Sequence, residues 1–471
     1  MRFLKAKDKS NTRLGGGSSN RDNLELQAFR EPNKKRKIIL ITVLFSMLVL
    51  SGMYLYKTYA AFTEEKHFNV INGTVQDPGD LYFAYYVDGE ITRNMPKKGT
   101  DYTLDTEKSN CTNGVTVGWD QDKWTALVNY ENYNATDFTR TKCNLYFKLK
   151  PPTVVEKITK LAQTDTTNLA TDDYGNIRYI GKNPNNYVSI DGDIWRIIGI
   201  MKDIDDGKGN KSDRVKLIRS EVIGWYSWDT SESSVNKGHG VNEWSQADLM
   251  KLLNPGYESE SVGGSLYWNG KSGTCYSGKA NATTSCNFTS TGIKDKLKSL
   301  ISDAIWNTGA NDGKTYTYNN IITSKFYELE RSDNTGKICS SGDYCNDPLG
   351  RTTAWVGKVG LMYPSDYGYA TSGGSTTDRA TCLNTYLNSW GGSSVSDCKN
   401  NDWLYDSSIQ WTISPSADSS RVSFVFYVDN VGMVDCLNAR ASYDVRPVVY
   451  LSQSVVIQSG DGSRGNPFIL G

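Results

Sequence analysis

The longest apolar run in the chain is residues 38–56, nineteen consecutive positions without a charge, directly behind Lys34, Lys35, Arg36 and Lys37. A helix of that length spans roughly 28 Å, close to the roughly 30 Å hydrocarbon core of a bilayer. The run has no polar face at a 3.6-residue period, as a core helix of a water-soluble domain would. Thr42, Ser46 and Ser51 interrupt it only with hydroxyls, which can bond back to the preceding turn. The pattern predicts a single transmembrane helix over 38–56, with the lipid bilayer as its partner. A cleaved export signal is the competing reading, because Thr58 and Ala60 in "TYAAF" come near an A-x-A cleavage pattern. The length of the run and of the segment before it favours a retained signal-anchor. Residues 1–37 contain "GGGSSN", lack hydrophobic periodicity and read as a disordered basic tail.

Beyond the anchor the periodicity changes. Residues 66–150 read as a small β-domain: "LYFAYYVDGEI" is an apolar strand meeting Asp88-Gly89, a hairpin signal, and "WTALVNY" places Trp124, Ala126 and Val128 on one face. Pro151-Pro152 break the chain, and a second domain is expected over 153–471. It opens with a helix in which Val154, Ile158, Leu161 and Ala162 share a face. "NYVSIDGDIWRIIGI" then reads as strand, Asp191-Gly192 turn, strand, and "DRVKLIRS" as another strand after a polar turn at 203–213. A helix is predicted in "SQADLMKLLNPG", with Ser245 as cap and Asp248 three residues on, and a second along Ile293, Leu297, Leu300, Ile301, Ala304 and Ile305. "NNIITSKFYELE" suggests a third, and "IQWTISPS", "VSFVFYVDNVGMV", "VRPVVYL" and "SVVIQSG" a closing block of strands. The fold class expected is α+β, sheet-dominated, with a few surface helices and long loops.

Charge orients the anchor. Residues 1–37 hold eleven Lys or Arg against four acids; of the 52 cations and 52 acids in the chain, 41 and 48 remain in residues 57–471. Positive charge marks the cytoplasmic flank, so the amino terminus is expected inside and the bulk of the chain outside the cell. The acidic exterior argues against nucleic acid as a partner, which needs a basic stripe. With 29 Tyr, 12 Trp and 43 Gly, the composition fits an exported β-rich protein.

All nine cysteines fall on the exterior side, where disulfides are permitted. Proximity suggests Cys111 with Cys143, Cys275 with Cys286, Cys339 with Cys345 and Cys382 with Cys398, although sequence does not fix connectivity. Cys436 is left over and reads as a small buried hydrophobe. No C-x-x-C occurs and the histidines are His67 and His239 alone, so zinc is not expected, nor is any cofactor. Asp203, Asp205 and Asp206 superficially resemble a calcium loop, but the spacing of acids and glycine is wrong and no closing Glu follows; a solvated turn is the reading. A turn is also read around Asp461. Arg196 and Arg446 sit among apolar strand residues and are expected to pair with acids at the core edge. The loop "MYPSDYGYATSGG" offers Tyr363, Asp366, Tyr367 and Tyr369, with Trp390 and Trp403 later in the chain. Aromatic faces beside carboxylates suit a sugar or peptide ligand; the competing reading is that these rings fill the domain's own core.

The ordered series "YVSIDGDIWRIIGI", "NEWSQADLMKLLN", "SDYGYAT", "WTISP" and "VRPVVYL" resembles an uncharacterised surface domain of gut Firmicutes, which is distantly similar to the C-type-lectin-like fold shared with formylglycine-generating enzymes. The resemblance spans about residues 185–471. "CTNGVTVGWDQDKW…TKCNLYF" is similar to a small module found before that domain, and "TYAAFTEEKHFNVINGTV" faintly resembles the start of exported biofilm-fibre and camelysin-like proteins. The resemblance implies a lectin-like fold and a surface location, without an activity. The calcium-dependent sugar motif of C-type lectins does not carry over, because Glu31-Pro32-Asn33 lies in the tail and Asn401-Asp402-Trp403 is not W-N-D. The oxidase cysteine spacing does not carry over either, since "CSSGDYC" is one residue too long.

The function expected is a membrane-anchored extracellular binding or adhesion protein whose ligand is a glycan, a cell-wall component or another surface protein. The alternatives are an envelope enzyme using the same loop, and a structural surface-fibre subunit.

Overall fold

The structure is a computed structural model that describes residues 81–134, 140–231, 238–309, 319–331, 351–416 and 423–471. The predicted anchor at 38–56, the basic tail, and Cys339 and Cys345 lie outside the described residues. Among the described residues no helix is long and apolar enough to cross a membrane. The chain divides into two units, one ending at Lys150 and the other beginning at Pro151.

Among its described residues the first unit is all β. Strands β1 (Leu81–Val87), β2 (Glu90–Thr92), β3 (Tyr102–Leu104), β4 (Asn110–Cys111), β5 (Thr116–Asp120), β6 (Thr125–Asn129) and β7 (Thr141–Leu149) follow in order. β7 is central, parallel to β1 and antiparallel to β3 and β4, while β5 and β6 form a separate hairpin. The β1–β2 turn uses Asp88 and Gly89, both at positive φ, as the D-G signal requires. Trp124, predicted in a strand, instead takes φ 56° in the turn before β6 and drops its ring onto Phe147 and Trp119. Leu104, Leu145 and Phe147 complete this small core, and Cys111 is bonded to Cys143 directly across the β4–β7 ladder.

The second unit begins with helix α1 (Val154–Leu161), capped by a Thr153–Glu156 box and burying Val154 and Ile158. Its main sheet contains β8 (Leu169–Thr171), β9 (Ile177–Tyr179), β10 (Tyr187–Ile190), β11 (Asp193–Asp205) and β12 (Lys211–Arg219). Asp191 and Gly192, both at positive φ, turn β10 into β11. β11 runs further than its apolar pattern suggests, so the polar turn at 203–213 shortens to five residues, 206–210. Asp205 and Asp206 spend their carboxylates there on backbone N–H groups of Gly207 and Lys208, at 2.8 and 2.7 Å.

After β13 (Trp225–Ser227) comes α2 (Asp248–Leu253). Ser245 does not cap this helix. It lies in a preceding 3-10 turn and donates to Glu243, and Asp248 accepts from the Thr230 N–H and hydroxyl instead. Hairpin β14 (Ser272–Tyr276) and β15 (Thr283–Asn287) carries the Cys275–Cys286 bond. The next helix is shorter than its stripe predicts. α3 (Asp295–Leu300) stops where Ile301 turns extended, and Ala304 and Ile305 belong to strand β16 (Ala304–Asn307), which pairs with β17 (Ala354–Gly357). A tertiary ladder has overridden a local helical period here.

Helix α4 (Thr323–Glu330), strand β18 (Val359–Gly360), and helices α5 (Pro364–Tyr369), α6 (Arg379–Leu383) and α7 (Ser396–Asn400) follow, with Cys382 in α6 bonded to Cys398 in α7. The closing strands are β19 (Gln410–Pro415), β20 (Phe424–Val428), β21 (Val434–Asn438), β22 (Ser442–Asp444), β23 (Val448–Tyr450), β24 (Ile457–Ser459) and β25 (Phe468–Leu470). Besides the two-stranded pairs β14–β15 and β16–β17, two larger sheets form: β18-β23-β12-β11-β10-β25-β24, with β9 attached to β11 and β8 to β9, and β13-β22-β19-β20-β21. The protein is therefore a sheet-dominated α+β structure with short helices. The three disulfides are consistent with an extracellular location. Cys436, in β21, is buried.

Candidate functional site

The loop singled out in the sequence folds inward as α5. Tyr363, Asp366, Tyr367, Tyr369, Trp390 and Trp403 are all under 5% exposed, so none presents a ring to solvent. Tyr367 donates its hydroxyl to the Gly432 carbonyl at 2.9 Å and packs on Trp390. Trp403 is elsewhere, donating to the Tyr179 carbonyl at 2.8 Å, with the Arg196 guanidinium stacked on its face.

Asp366, Tyr363 and Tyr369 join a buried charge network. Asp366, in the first turn of α5, accepts from the Tyr363 N–H at 2.9 Å and takes two cations, Lys216 from β12 and Arg178 from β9, the latter at 2.7 Å. Arg178 also pairs with Asp172 at 2.8 Å, and its remaining Nη2 makes no hydrogen bond but lies among the Tyr369 and Tyr327 rings. Glu330, at the end of α4, accepts from the Ser365 N–H and hydroxyl and pairs with Arg331. Burial raises the Glu330 carboxyl. Burial also pulls the Lys216 ammonium down to about 8, with Asp366 acting against it. The network holds three acids and three cations, all buried except Arg331, whose side chain keeps 16% exposure. Sequence reasoning missed Arg178, Lys216 and Asp172. The available signal was a cation flanked by apolar residues in "NIRYI" and "RVKLIR", the same pattern that marked Arg196 and Arg446. Of those two, Arg446 pairs with Asp406 at 3.8 Å, while Arg196 meets an amide, Asn186, at 2.9 Å.

A second acid pair lies beside β13. Burial raises the Asp248 carboxyl to about 6, and the neighbouring Asp229 adds to the shift. A folded-state value above the ordinary 3.8 means that this group stabilises the fold below about pH 4 and loses that contribution as pH rises through about 6. Asp248→Asn is therefore expected to be about 1–2 kcal/mol more stable than the parent near neutral pH, with a flatter stability profile between about pH 4 and 6. Urea unfolding across that range checks it.

Among the described residues, a cleft open to solvent lies at the β11–β12 turn. It encloses about 520 Å³ and is lined by Asp206, Lys208, Lys211, Arg214, Asp303 and Lys358, with serines and amides between them. Arg214 forms its floor: Nη1 donates to the Ser302 hydroxyl and the Asp303 carbonyl, both at 2.6 Å, and Nε donates to the Ser212 hydroxyl at 3.2 Å. Lys358 leans on Asp303 at 3.1 Å. Four cations against two acids make the cleft basic within an acidic exterior. Among the described residues no group of three His, Cys, Asp or Glu side chains could hold a metal ion. Comparison of the chain with known protein families, characterised proteins and solved structures returns no match.

Proposed function

We propose that the protein is a membrane-anchored, extracellular binding protein of the bacterial cell surface, with a lectin-like second domain whose cleft takes an anionic glycopolymer of the envelope. The observation that carries this reading is the basic cleft itself: a polar, solvent-filled recess whose deepest cation, Arg214, is locked in place by three hydrogen bonds before any ligand arrives. Preorganised donors lower the ordering cost of binding. A ligand with spaced phosphates or carboxylates would meet Lys208 and Lys211 at the rim and Arg214 and Lys358 within.

An envelope enzyme is less well supported. Lys216, Asp366 and Glu330 are sealed inside the fold, and Asp248, which is partly accessible, lies beside β13 and does not line the cleft. The test is a sedimentation assay of the purified chain with cell-wall sacculi that retain, or have been stripped of, their acidic polymers. The double substitution Lys208→Glu and Lys211→Glu is expected to weaken binding about tenfold or more, and added salt to weaken the parent in the same direction. Equal binding by the parent and the reversed-charge variant would sink the cleft as the site.

A further inference from the structure

The sheet of the first unit has two faces, and its core occupies one of them. Alternation along β1 and β7 turns Phe83, Val87, Leu145 and Phe147 towards Trp124 and the β5–β6 hairpin. The opposite face carries Tyr82 and Tyr86 from β1, Lys142 and Tyr146 from β7, and Ile91 from β2, which lies across from Tyr86. A sheet that rests one face on a core ordinarily reads polar on the other. This one does not: Tyr82 is 42% and Ile91 68% exposed, and the half-buried Tyr86 and Tyr146 rings stack at 4.4 Å.

The charges on this face have one sign. No acid stands on it in β1, β2 or β7, since Glu90 lies opposite Val87 and so on the other side. Lys142 is exposed, and Arg140, just ahead of β7, bonds the Tyr82 hydroxyl and lies 4.9 Å from the centre of its ring. Lys148, at the far end, pairs with Asp105 at 3.2 Å. Direction adds to this. β1 and β7 are parallel, with Tyr82 beside Lys142, so both strands start at one end of the sheet. That is the end at which the chain arrives from the predicted anchor, because only residues 57–80 separate the anchor from Leu81. Such a length reaches about 80 Å when fully extended and roughly 30 Å as a flexible coil. The face is therefore kept within reach of the bilayer, with two cations and its most exposed tyrosine at the tethered end.

We propose that this face is a membrane-docking surface, lying on the anionic phospholipid headgroups of the bilayer that holds the anchor, with Arg140 and Lys142 at the phosphates and the tyrosine rings at the interface. Tyrosine suits that boundary, because its ring is apolar while its hydroxyl stays wet. A cation near an anionic lipid surface contributes about 1 kcal/mol. Two such cations bind a free protein poorly, but the tether makes the encounter intramolecular, and a weak attraction then suffices. The proposal rests on the anchored reading and is independent of the basic cleft.

The test uses the full chain in lipid nanodiscs of phosphatidylcholine, with or without added phosphatidylglycerol. Hydroxyl-radical footprinting, read by mass spectrometry, reports side-chain access. Oxidation at Tyr82 and Ile91 is expected to fall about threefold or more in the anionic discs relative to the neutral ones, and high salt is expected to restore it. Leu127, exposed on the β5–β6 hairpin, is expected to stay unchanged. Arg140→Glu with Lys142→Glu, which leaves the rings in place, is expected to abolish the protection. Equal oxidation in both kinds of disc overturns the proposal. Protection that persists in detergent and ignores salt also overturns it, since the chain itself would then cover the face. So does protection that rises with protein concentration in detergent, the mark of a second copy. A chain that does not float with the discs refutes the anchor and this proposal with it, and flotation reads that before any footprint is taken. Failure of the cleft reading, seen with sacculi, leaves the footprint in nanodiscs unchanged.

Discussion

Asp366→Ala is expected to destabilise the second unit by about 3–5 kcal/mol, enough to unfold a marginal domain. The reason is the pair of cations left behind. Lys216 and Arg178 are both fully buried, and Asp366 takes a bond from each with its two oxygens. Removing the acid leaves Lys216 without a carboxylate and Arg178 with Asp172 alone, in a medium that solvates neither cation. The network as a whole need not be a large net stabiliser, because bringing six charged groups out of water offsets much of their mutual attraction; truncating one member is another matter. Asp366→Asn should cost less, since the amide oxygen still accepts from one cation. Burial works to raise the Asp366 carboxyl, and Lys216 and Arg178 overcome it and hold it down at about 2. A folded-state value below the ordinary 3.8 gives a contribution that is present above about pH 4 and lost as pH falls through about 2. The parent should therefore show an acid-unfolding slope in that window that Asp366→Ala lacks. Denaturant unfolding followed by tryptophan fluorescence measures both effects. A loss below about 1 kcal/mol would mean that the cations find other partners or water.

What could be read in the sequence followed the strength of local signals. The Asp88-Gly89 and Asp191-Gly192 turns, the α1 stripe and the strand period of "NYVSIDGDIWRIIGI" depend on near neighbours and were legible. Three disulfides, Cys111–Cys143, Cys275–Cys286 and Cys382–Cys398, link cysteines close in sequence, so proximity found them. The end of α3 was not legible, because Ala304 and Ile305 continue its helical period and only pairing with Ala354–Gly357 makes them strand. The candidate site was legible in composition but not in direction. "MYPSDYGYAT" promised aromatics and a carboxylate, and a six-residue helix turns all of them inward onto Lys216 and Arg178, which come from strands 150 and 188 residues earlier. Nothing local distinguishes a Tyr that stacks on a ligand from a Tyr that covers a buried lysine. Trp225 presents the converse: "GWYSW" alternates like a half-buried strand, and its exposed indole shows only once β22 is in place.

Gly199→Ala is expected to cost about 3 kcal/mol or more, and its cause links the main sheet to the charge network. Gly199 sits where β11 shifts register against β12, in the middle of the apolar run "WRIIGIM", and it pairs with Arg178 of β9 on its other side. A Cβ there would lie 2.0 Å from the Ile177 carbonyl oxygen and 3.1 Å from the Met201 methyl. The first contact is with backbone, so no side-chain rotation relieves it; β9 itself must move. An isolated Gly inside a strand pattern is the sequence signal for such a close approach. Because Ile177 and Arg178 are adjacent, displacing β9 would carry the Arg178 guanidinium away from Asp366, and part of the cost of Gly199→Ala should be lost ion pairing. The double variant Gly199→Ala, Asp366→Ala is then expected to be less destabilised than the sum of the single variants by about 1 kcal/mol or more, whereas sites that do not communicate add within about 0.5 kcal/mol. Strict additivity would show that the strand shift is absorbed before it reaches Arg178. A shortfall would show that the glycine's missing side chain is a condition for the network that α5 folds inward to complete.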